Sequence, residues 1–241
     1  MRVHQIPSPS SLVPSPSSLV WLFSSYTIAV DAGRALFVSI CLWLAAGLPA
    51  GAVPHTDSHI LVCYGDSITA GYGLRQDQAY PAFLQRDLNS QGYHYKVLNR
   101  GTSGATTKDA LAGLPYILRL HPAVVIVEFG GNDGLRGLPL TATRRNLDEL
   151  LSRLQAAHIR VLLGGITLPP NYGPQYIRQF QQMFREVAAR HPAAFVPMIY
   201  KNLIHVPGTI QPDGIHPTAK GSAIIAATLL PALKPLLNKG G

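Results

Sequence analysis

The stretch ILVCYGDSITAGYG, residues 60–73, decides how this chain folds. Its first five residues are all apolar or aromatic, and a short run of this kind closed by a glycine predicts a strand buried on both faces. The polar turn Gly65-Asp66-Ser67 follows at once, and we expect it to lead from the strand into a helix. A serine on such a turn presents its hydroxyl at the edge of the sheet.

The same alternation of strand and helix continues toward the C-terminus. Further apolar runs predict strands over residues 95–98, 123–129, 159–164 and 194–199. Helical spacing of apolar residues predicts helices over residues 80–89, 107–118, 141–158, 172–190 and 217–237. Nearly apolar strands that are each followed by a helix are typical of a parallel sheet covered on both faces. We therefore predict an α/β fold, a three-layer α/β/α sandwich with about five parallel strands, whose sites lie at the carboxyl ends of the strands.

Side chains suited to nucleophilic chemistry follow three of the predicted strands. Ser67 follows the first strand, and its own N–H lies near the positive end of a helix dipole, where an oxyanion is stabilised. The glycines of NRGTSGATT, residues 99–107, can bring backbone N–H donors close to a ligand after the second strand. Asn132 in GGNDG, after the third strand, can extend its amide over the same crevice. Each of these segments alone is also typical of an ordinary turn.

A carboxylate and a histidine close the set near the C-terminus, in Asp213-Gly214-Ile215-His216-Pro217. A carboxylate three residues before a histidine can accept a hydrogen bond from the imidazole Nδ1–H. That bond fixes the tautomer and leaves Nε2 free to take a proton from a serine. Taken singly, Asp213 is typical of an Asx turn and His216 of a surface loop. A nucleophile, a base with its orienting carboxylate and two donors on one sheet edge together indicate catalysis.

These segments resemble the signature blocks of the SGNH/GDSL hydrolase superfamily. The motifs YGDSITAGYG, VEFGGNDGLRG and DGIHP are most similar to the bacterial periplasmic thioesterase I/arylesterase/lysophospholipase group. The resemblance extends from about Ile60 to Leu237. It implies a flavodoxin-like sandwich and a serine esterase that acts on carboxylic esters or thioesters without a cofactor.

The resemblance also implies a role for each matching residue. Ser67 corresponds to the nucleophile, His216 to the general base and Asp213 to its orienting partner. The N–H groups of Ser67 and Gly104 and the side chain of Asn132 correspond to the oxyanion hole. The second block departs from the usual pattern, with Arg100 in place of a small residue and Ala105 where relatives often carry Asp. Both flank Gly104 and are expected to alter the rim of the pocket rather than the donor.

The substrate is less closely defined by the sequence. Two segments rich in Gly, Pro and Leu, residues 134–139 and 168–173, are candidate walls of an acyl groove, with Leu135, Leu138, Pro170 and Tyr172 as its candidate contacts. Medium or long acyl esters and lysolipids fit such walls. A carbohydrate O-acetylesterase is the alternative enzyme, and a non-catalytic secreted lipid- or carbohydrate-binding module is the second alternative.

Composition and residue spacing argue against nucleic-acid, metal and cofactor binding. The net charge is +8, but the basic residues are scattered, so we expect no nucleic-acid partner. The charge leaves room for transient contact with an anionic membrane surface. No His, Cys or carboxylate cluster has metal-ligand spacing, and no phosphate loop is present, so neither metal nor cofactor is expected. The two cysteines, Cys41 and Cys63, do not indicate a disulfide framework.

Residues 1–52 do not resemble the rest of the chain. The heptad PSPSSLV occurs twice in succession, over residues 7–13 and 14–20, as in low-complexity sequence. Two explanations fit this repeat equally well: a start codon wrongly assigned upstream of the true one, or a genuine N-terminal extension of the protein. Arg34, the apolar run after it and the triplet Ala50-Gly51-Ala52 match a signal peptide cleaved after Ala52. We therefore expect an exported hydrolase domain over residues 53–241. A permanent N-terminal membrane anchor is the alternative.

Overall fold

The computed structural model describes residues 59–239. The predictions made for residues 1–52 lie outside this range. The described chain contains five strands: β1 Ile60–Gly65, β2 Lys96–Gly101, β3 Val124–Glu128, β4 Arg160–Gly164 and β5 Ala194–Val196. Its seven α-helices are α1 Ser67–Ala70, α2 Tyr80–Ser90, α3 Thr107–Arg119, α4 Gly131–Leu135, α5 Leu140–Ala156, α6 Pro174–Arg190 and α7 Ala219–Leu233.

The five strands form one parallel sheet in the order β2-β1-β3-β4-β5. The chain moves outward from β1 to β2 and then returns to place β3 on the other side of β1. This reversal opens a crevice at the carboxyl ends of β1 and β3, where ligands bind in open α/β sheets. Gly65 is in register with Gly101 of β2 and with Glu128 of β3. The three strands therefore end level with one another, and the loops that follow them meet.

Helices cover both faces of the sheet. Helices α2 and α7 pack against each other on one side, while α5 packs against both α3 and α6 on the other. The strands between them are apolar on both faces, as β1 and β3 show with every residue from Leu61 to Gly65 and from Val124 to Glu128 buried. The predicted three-layer α/β/α architecture is confirmed. Among residues 59–239, no helix is both long and apolar enough to span a membrane.

Several predicted boundaries shift for local reasons. The helix expected from residue 172 begins at Pro174, because residues 170–172 form a 3₁₀ turn and Gly173 has a φ of +81°. The last helix begins at Ala219 with Thr218 as its N-cap, because Pro217 forms a β-bridge with Ile210. Strand β5 ends at Val196, since proline follows. The short helix α4, which follows β3, was not predicted from its Gly-rich sequence.

Candidate active site

Ser67 is the first residue of α1, directly beyond the carboxyl end of β1. Asp66 caps this helix by accepting a hydrogen bond of 3.0 Å from the backbone N–H of Ile68. The helix ends after one turn at Gly71, whose φ is +78°. A serine at the start of a helix has no carbonyl within that helix to bind its N–H, so this donor can face the crevice.

The imidazole of His216 connects Ser67 to Asp213. Its Nε2 atom lies 2.9 Å from Ser67 Oγ, and its Nδ1 atom lies 2.6 Å from Asp213 Oδ2. The other oxygen of Asp213 accepts hydrogen bonds from the backbone N–H groups of Ile215 and His216 at 2.9 and 3.0 Å. These contacts form a continuous path for a proton from the serine hydroxyl to the imidazole, with an anion on the far side.

The surroundings of Asp213 stabilise its ionised form. Partial desolvation raises the pKa of this carboxyl, but the two backbone N–H groups and the imidazole outweigh it, so the pKa lies below its ordinary value. The carboxylate is therefore ionised throughout the neutral range. An ionised Asp213 keeps the proton of the imidazole on Nδ1 and leaves Nε2 as an acceptor.

The amide of Asn132 joins the segments that follow three strands. Its Nδ2 atom donates to Asp66 Oδ2 at 3.1 Å and to the backbone carbonyl of Ala105 at 3.0 Å. Asp66 precedes Ser67, and Ala105 follows Gly104. The structure therefore brings Asn132 to the turn that carries Ser67 and to the loop that carries Gly104, and both amide hydrogens have acceptors in the resting site.

Gly104 lies in the loop between β2 and α3 with a φ of +79°, a backbone conformation that favours glycine. Its carbonyl accepts a hydrogen bond of 2.7 Å from Arg136 Nη2. The turn is closed by a bond of 3.1 Å from the N–H of Ala105 to the carbonyl of Thr102. Because Arg136 holds the carbonyl, the orientation of this loop is fixed from the segment that follows α4.

Two buried carboxyl groups lie near the turn that carries Ser67, namely Asp66, which precedes Ser67, and Glu128, which ends β3. Burial raises the pKa of Asp66 to about 6, although the N–H of Ile68 and the charge of His216 oppose the shift. Burial and then the charge of Asp66 raise the pKa of Glu128 well above its ordinary value. One oxygen of Glu128 accepts a hydrogen bond of 2.8 Å from Thr69 Oγ1. Acidic groups with raised pKa values are therefore part of the floor of the site.

The loop that carries His216 is fastened to the turn that carries Ser67. The side chain of Gln211 donates from Nε2 to the carbonyls of Tyr72 and Pro217, at 2.8 and 2.9 Å. The ring of Tyr72 lies over the imidazole of His216, with 4.5 Å between ring centroids. These contacts tie two segments that are distant in sequence and hold the imidazole in place.

An apolar cavity of about 520 Å³ is lined by Gly131 and Ile215, which directly precede Asn132 and His216 in the chain. Its walls come from α4, from the loop after β4, from α6 and from the segment that leads to His216. The lining residues include Leu135, Ile166, Leu168, Pro170, Ile177, Met198, Tyr200, Ile204, Ile210 and Ile215. Because Ile215 precedes His216 directly, a chain bound here lies next to His216.

Two of the four predicted groove residues, Leu135 and Pro170, line this cavity. Leu138 is 38% exposed and lies outside the lining. Tyr172 supports the wall from behind, since its hydroxyl donates to the carbonyl of Leu135 at 2.8 Å.

Other residues of the site were missed from the sequence. Ile215 belongs to the DGIHP motif, and its place beside His216 was the one signal that could have indicated it. Ile204 and Gln211 stand in segments without a motif, and their positions depend on tertiary structure.

Within residues 59–239, no three His, Cys, Asp or Glu side chains are grouped so that they could hold a metal ion. The arrangement instead offers a serine hydroxyl, a base and backbone or amide donors at one point. Such a set is suited to acyl transfer.

The comparisons with known proteins agree with this geometry. Residues 63–224 match the GDSL-like Lipase/Acylhydrolase family. The chain is 42% identical to Esterase TesA of Pseudomonas aeruginosa over 205 residues, which cover 85% of this chain and 100% of the relative. It is 36% identical to Thioesterase 1/protease 1/lysophospholipase L1 of Escherichia coli K12 over 179 residues, or 74% of this chain and 85% of the relative.

A crystal structure of TesA superimposes with a TM-score of 0.71 at 42% identity, covering 74% of this chain and 99% of that one. The family match takes in the turn of Ser67, the loop of Gly104 and the loop of His216, which the fold brings to one edge of the sheet. The chain therefore belongs to the GDSL-like lipase/acylhydrolase family, and it is a serine ester hydrolase.

Proposed function

We propose that this protein hydrolyses carboxylic esters and thioesters of medium to long acyl chains through an acyl-enzyme on Ser67. The observation that carries the proposal is the 2.9 Å contact between Ser67 Oγ and His216 Nε2 beside an apolar cavity of about 520 Å³. The contact supplies the nucleophile, and the cavity supplies a place for the acyl chain.

In the first step Ser67 Oγ attacks the carbonyl carbon as its proton passes to His216 Nε2. Asp213 stabilises the imidazolium, since its 2.6 Å contact with Nδ1 becomes an ion pair. The negative oxygen of the tetrahedral intermediate is held by the N–H groups of Ser67 and Gly104 and by the amide of Asn132. The proton on His216 then passes to the departing alcohol or thiol, and the acyl group stays on Ser67.

In the second step water replaces the leaving group. His216 Nε2 takes a proton from the water, which attacks the acyl carbon and regenerates the same oxyanion. Collapse of this intermediate breaks the bond to Ser67 Oγ, which recovers its proton from His216, and a free acid leaves. No redox change and no further reactant are required.

The cavity supports an acyl chain rather than a bare acetyl group. Its walls are largely aliphatic, and burial of each CH₂ group contributes about 0.8 kcal/mol. An acetyl group would leave most of this space empty. The alternative O-acetylesterase reaction uses the same serine and histidine but takes no advantage of the cavity.

Exposed apolar side chains around the mouth favour lysolipids among the acyl esters. Ile204 lines the cavity and is 47% exposed, while Tyr72 lies over His216 and is 54% exposed. Such a rim is suited to contact with the surface of a micelle or membrane. Transient contact with a lipid surface is therefore part of the proposal.

The proposal is tested with p-nitrophenyl esters from acetate to palmitate, together with a palmitoyl lysophospholipid. We expect kcat/KM to peak at six or more acyl carbons. Ile204→Trp, which narrows the cavity, should lower the rate on the longest esters and leave the acetate rate as an internal control. A peak at acetate in the wild type would favour the O-acetylesterase instead, and absence of turnover on every ester would favour a binding module.

We propose further that the hydrolase domain is exported after cleavage behind Ala52. The order of Arg34, apolar run and small-residue triplet supports this proposal. N-terminal sequencing of the protein recovered from outside the cytoplasm should begin at Val53. A protein that begins at Met1 there would contradict the cleavage and favour the anchored alternative.

A further inference from the structure

Asp66 and Glu128 form a buried pair of carboxyl groups at the ends of two neighbouring strands. Each is only 2% exposed. The register pairs Gly65 with Glu128, and the backbone N–H of Asp66 donates to the carbonyl of Glu128 at 3.2 Å. Each of the two carboxyl groups influences the charge of the other. Gly65 permits this approach, since a Cβ at that position would lie 2.7 Å from Glu128 Oε2.

Three of the four carboxyl oxygens of the pair accept hydrogen bonds from neighbouring groups. Asp66 accepts from the N–H of Ile68 and from Asn132, and Glu128 Oε2 accepts from Thr69 Oγ1. The remaining oxygen, Glu128 Oε1, is buried and has no protein donor. A protonated carboxyl oxygen is a donor, so a buried oxygen that accepts no hydrogen bond is the natural place for a proton.

The groups that face the pair do not compensate two negative charges. Four side chains influence the charge of the pair: Asp133 from α4, His216, Tyr80 from α2 and Tyr200 after β5. Within residues 59–239, no Lys or Arg forms an ion pair with either carboxyl. Of these groups only His216 favours a negative charge on the pair, so two anions in this buried site are strongly unfavourable and one carboxyl is neutral.

The surroundings decide which carboxyl keeps the proton. Asp66 accepts hydrogen bonds from two N–H donors and lies near His216, and all of these favour its charged form. Burial and the charge of Asp66 raise the pKa of Glu128 and outweigh the influence of Thr69 and of the backbone of Asp66, and its Oε1 has no donor. The proton therefore belongs on Glu128.

We propose that Glu128 is a positioning residue that, as a neutral acid, donates its O–H to an anionic Asp66. The Asp66 carboxylate in turn holds the Asn132 amide in the orientation in which it can donate a hydrogen bond to the oxyanion. An anionic Asp66 accepts only from the N–H₂ end of Asn132, so it fixes which end of that amide faces the crevice. The oxyanion then competes with the carbonyl of Ala105 for the second amide hydrogen. This inference rests on the proposed role of Asn132, so its test includes a readout that does not depend on ester turnover.

That readout is the infrared carbonyl band of a protonated carboxyl group. We expect the wild type at about pH 7 to show such a band, although ordinary Asp and Glu side chains are ionised there. The band should disappear in Glu128→Gln. A wild type without the band at this pH would overturn the inference, whatever its activity.

Stability gives a second readout. A carboxyl whose pKa is higher in the folded than in the unfolded chain takes up a proton on folding. The free energy of unfolding therefore falls as the pH rises above the pKa that the carboxyl has in the unfolded chain. Glu128→Gln lacks this titration, and its amide can accept from Thr69 and donate to Asp66. Its free energy of unfolding relative to the wild type should therefore increase from about pH 4 to about pH 8. A constant or decreasing difference would contradict a protonated Glu128.

Kinetics separates positioning from mere packing. Asp66→Asn keeps the helix cap, because its Oδ1 still accepts a hydrogen bond from the N–H of Ile68. Its N–H₂ group, however, then faces the N–H₂ group of Asn132, and two donors cannot bond to each other. We expect kcat to fall about tenfold with little change in KM. Glu128→Gln, which reproduces the neutral acid, should retain most of kcat. A large loss of kcat in Glu128→Gln with the fold intact, or wild-type kcat in Asp66→Asn, would overturn the positioning role.

Discussion

Replacement of Ser67 by alanine is expected to reduce kcat/KM for a medium-chain ester by about four orders of magnitude or more. The change removes the proposed nucleophile, the oxygen that lies 2.9 Å from His216 Nε2. The fold should be unaffected, since the side chain is partly exposed and its loss leaves only a small space. Circular dichroism and the melting temperature check the fold beside the rate.

A double variant makes this prediction sharper. If Ser67 and His216 act as one unit, Ser67→Ala combined with His216→Ala should be little slower than either single variant. Losses that multiply would show that the two residues act independently. A Ser67→Ala protein that retains a substantial part of the wild-type rate would remove Ser67 from the nucleophile position.

Asn132→Ala is the second change with a large expected effect. Loss of one oxyanion donor typically lowers kcat by about 10² to 10³. Because the donor acts on the intermediate rather than on the ground state, KM should change much less. Steady-state kinetics on one soluble ester measures both parameters.

Asn146→Ala provides a matched control for this variant. Asn146 also donates a side-chain hydrogen bond, of 3.0 Å to Thr107 Oγ1, but on α5 rather than in the crevice. It should therefore leave kcat close to that of the wild type. Equal losses in the two variants would mean that Asn132 serves the fold rather than the oxyanion.

The sequence was sufficient where structure is decided locally. The apolar run of residues 60–64 and the polar turn after it predict both β1 and the position of Ser67, because each depends on neighbours in the chain. The same is true of Asp213 and His216, whose separation of three residues lets them bond within a single loop. For these residues, local spacing and topology were enough to predict the contacts that the structure shows.

Contacts set by the packing of distant segments could not be predicted in this way. The pairing of Asp66 with Glu128 depends on the register of β1 against β3, which neither strand specifies alone. The bridge made by Gln211 depends on a loop that reaches back across the sheet edge. Leu138 and Tyr172 were expected in the groove from composition, but a Gly- and Pro-rich segment does not specify which of its side chains turn inward.

The most direct test of the account is to identify the atom that carries the acyl group. The protein would be mixed with a p-nitrophenyl ester of a medium-chain acid, quenched in acid during the first turnover and analysed by intact mass and peptide mapping. We expect a single added acyl group on the peptide that contains Ser67, and none in Ser67→Ala. An acyl group on another residue, or ester turnover in which no acylated protein forms, would contradict the central claim.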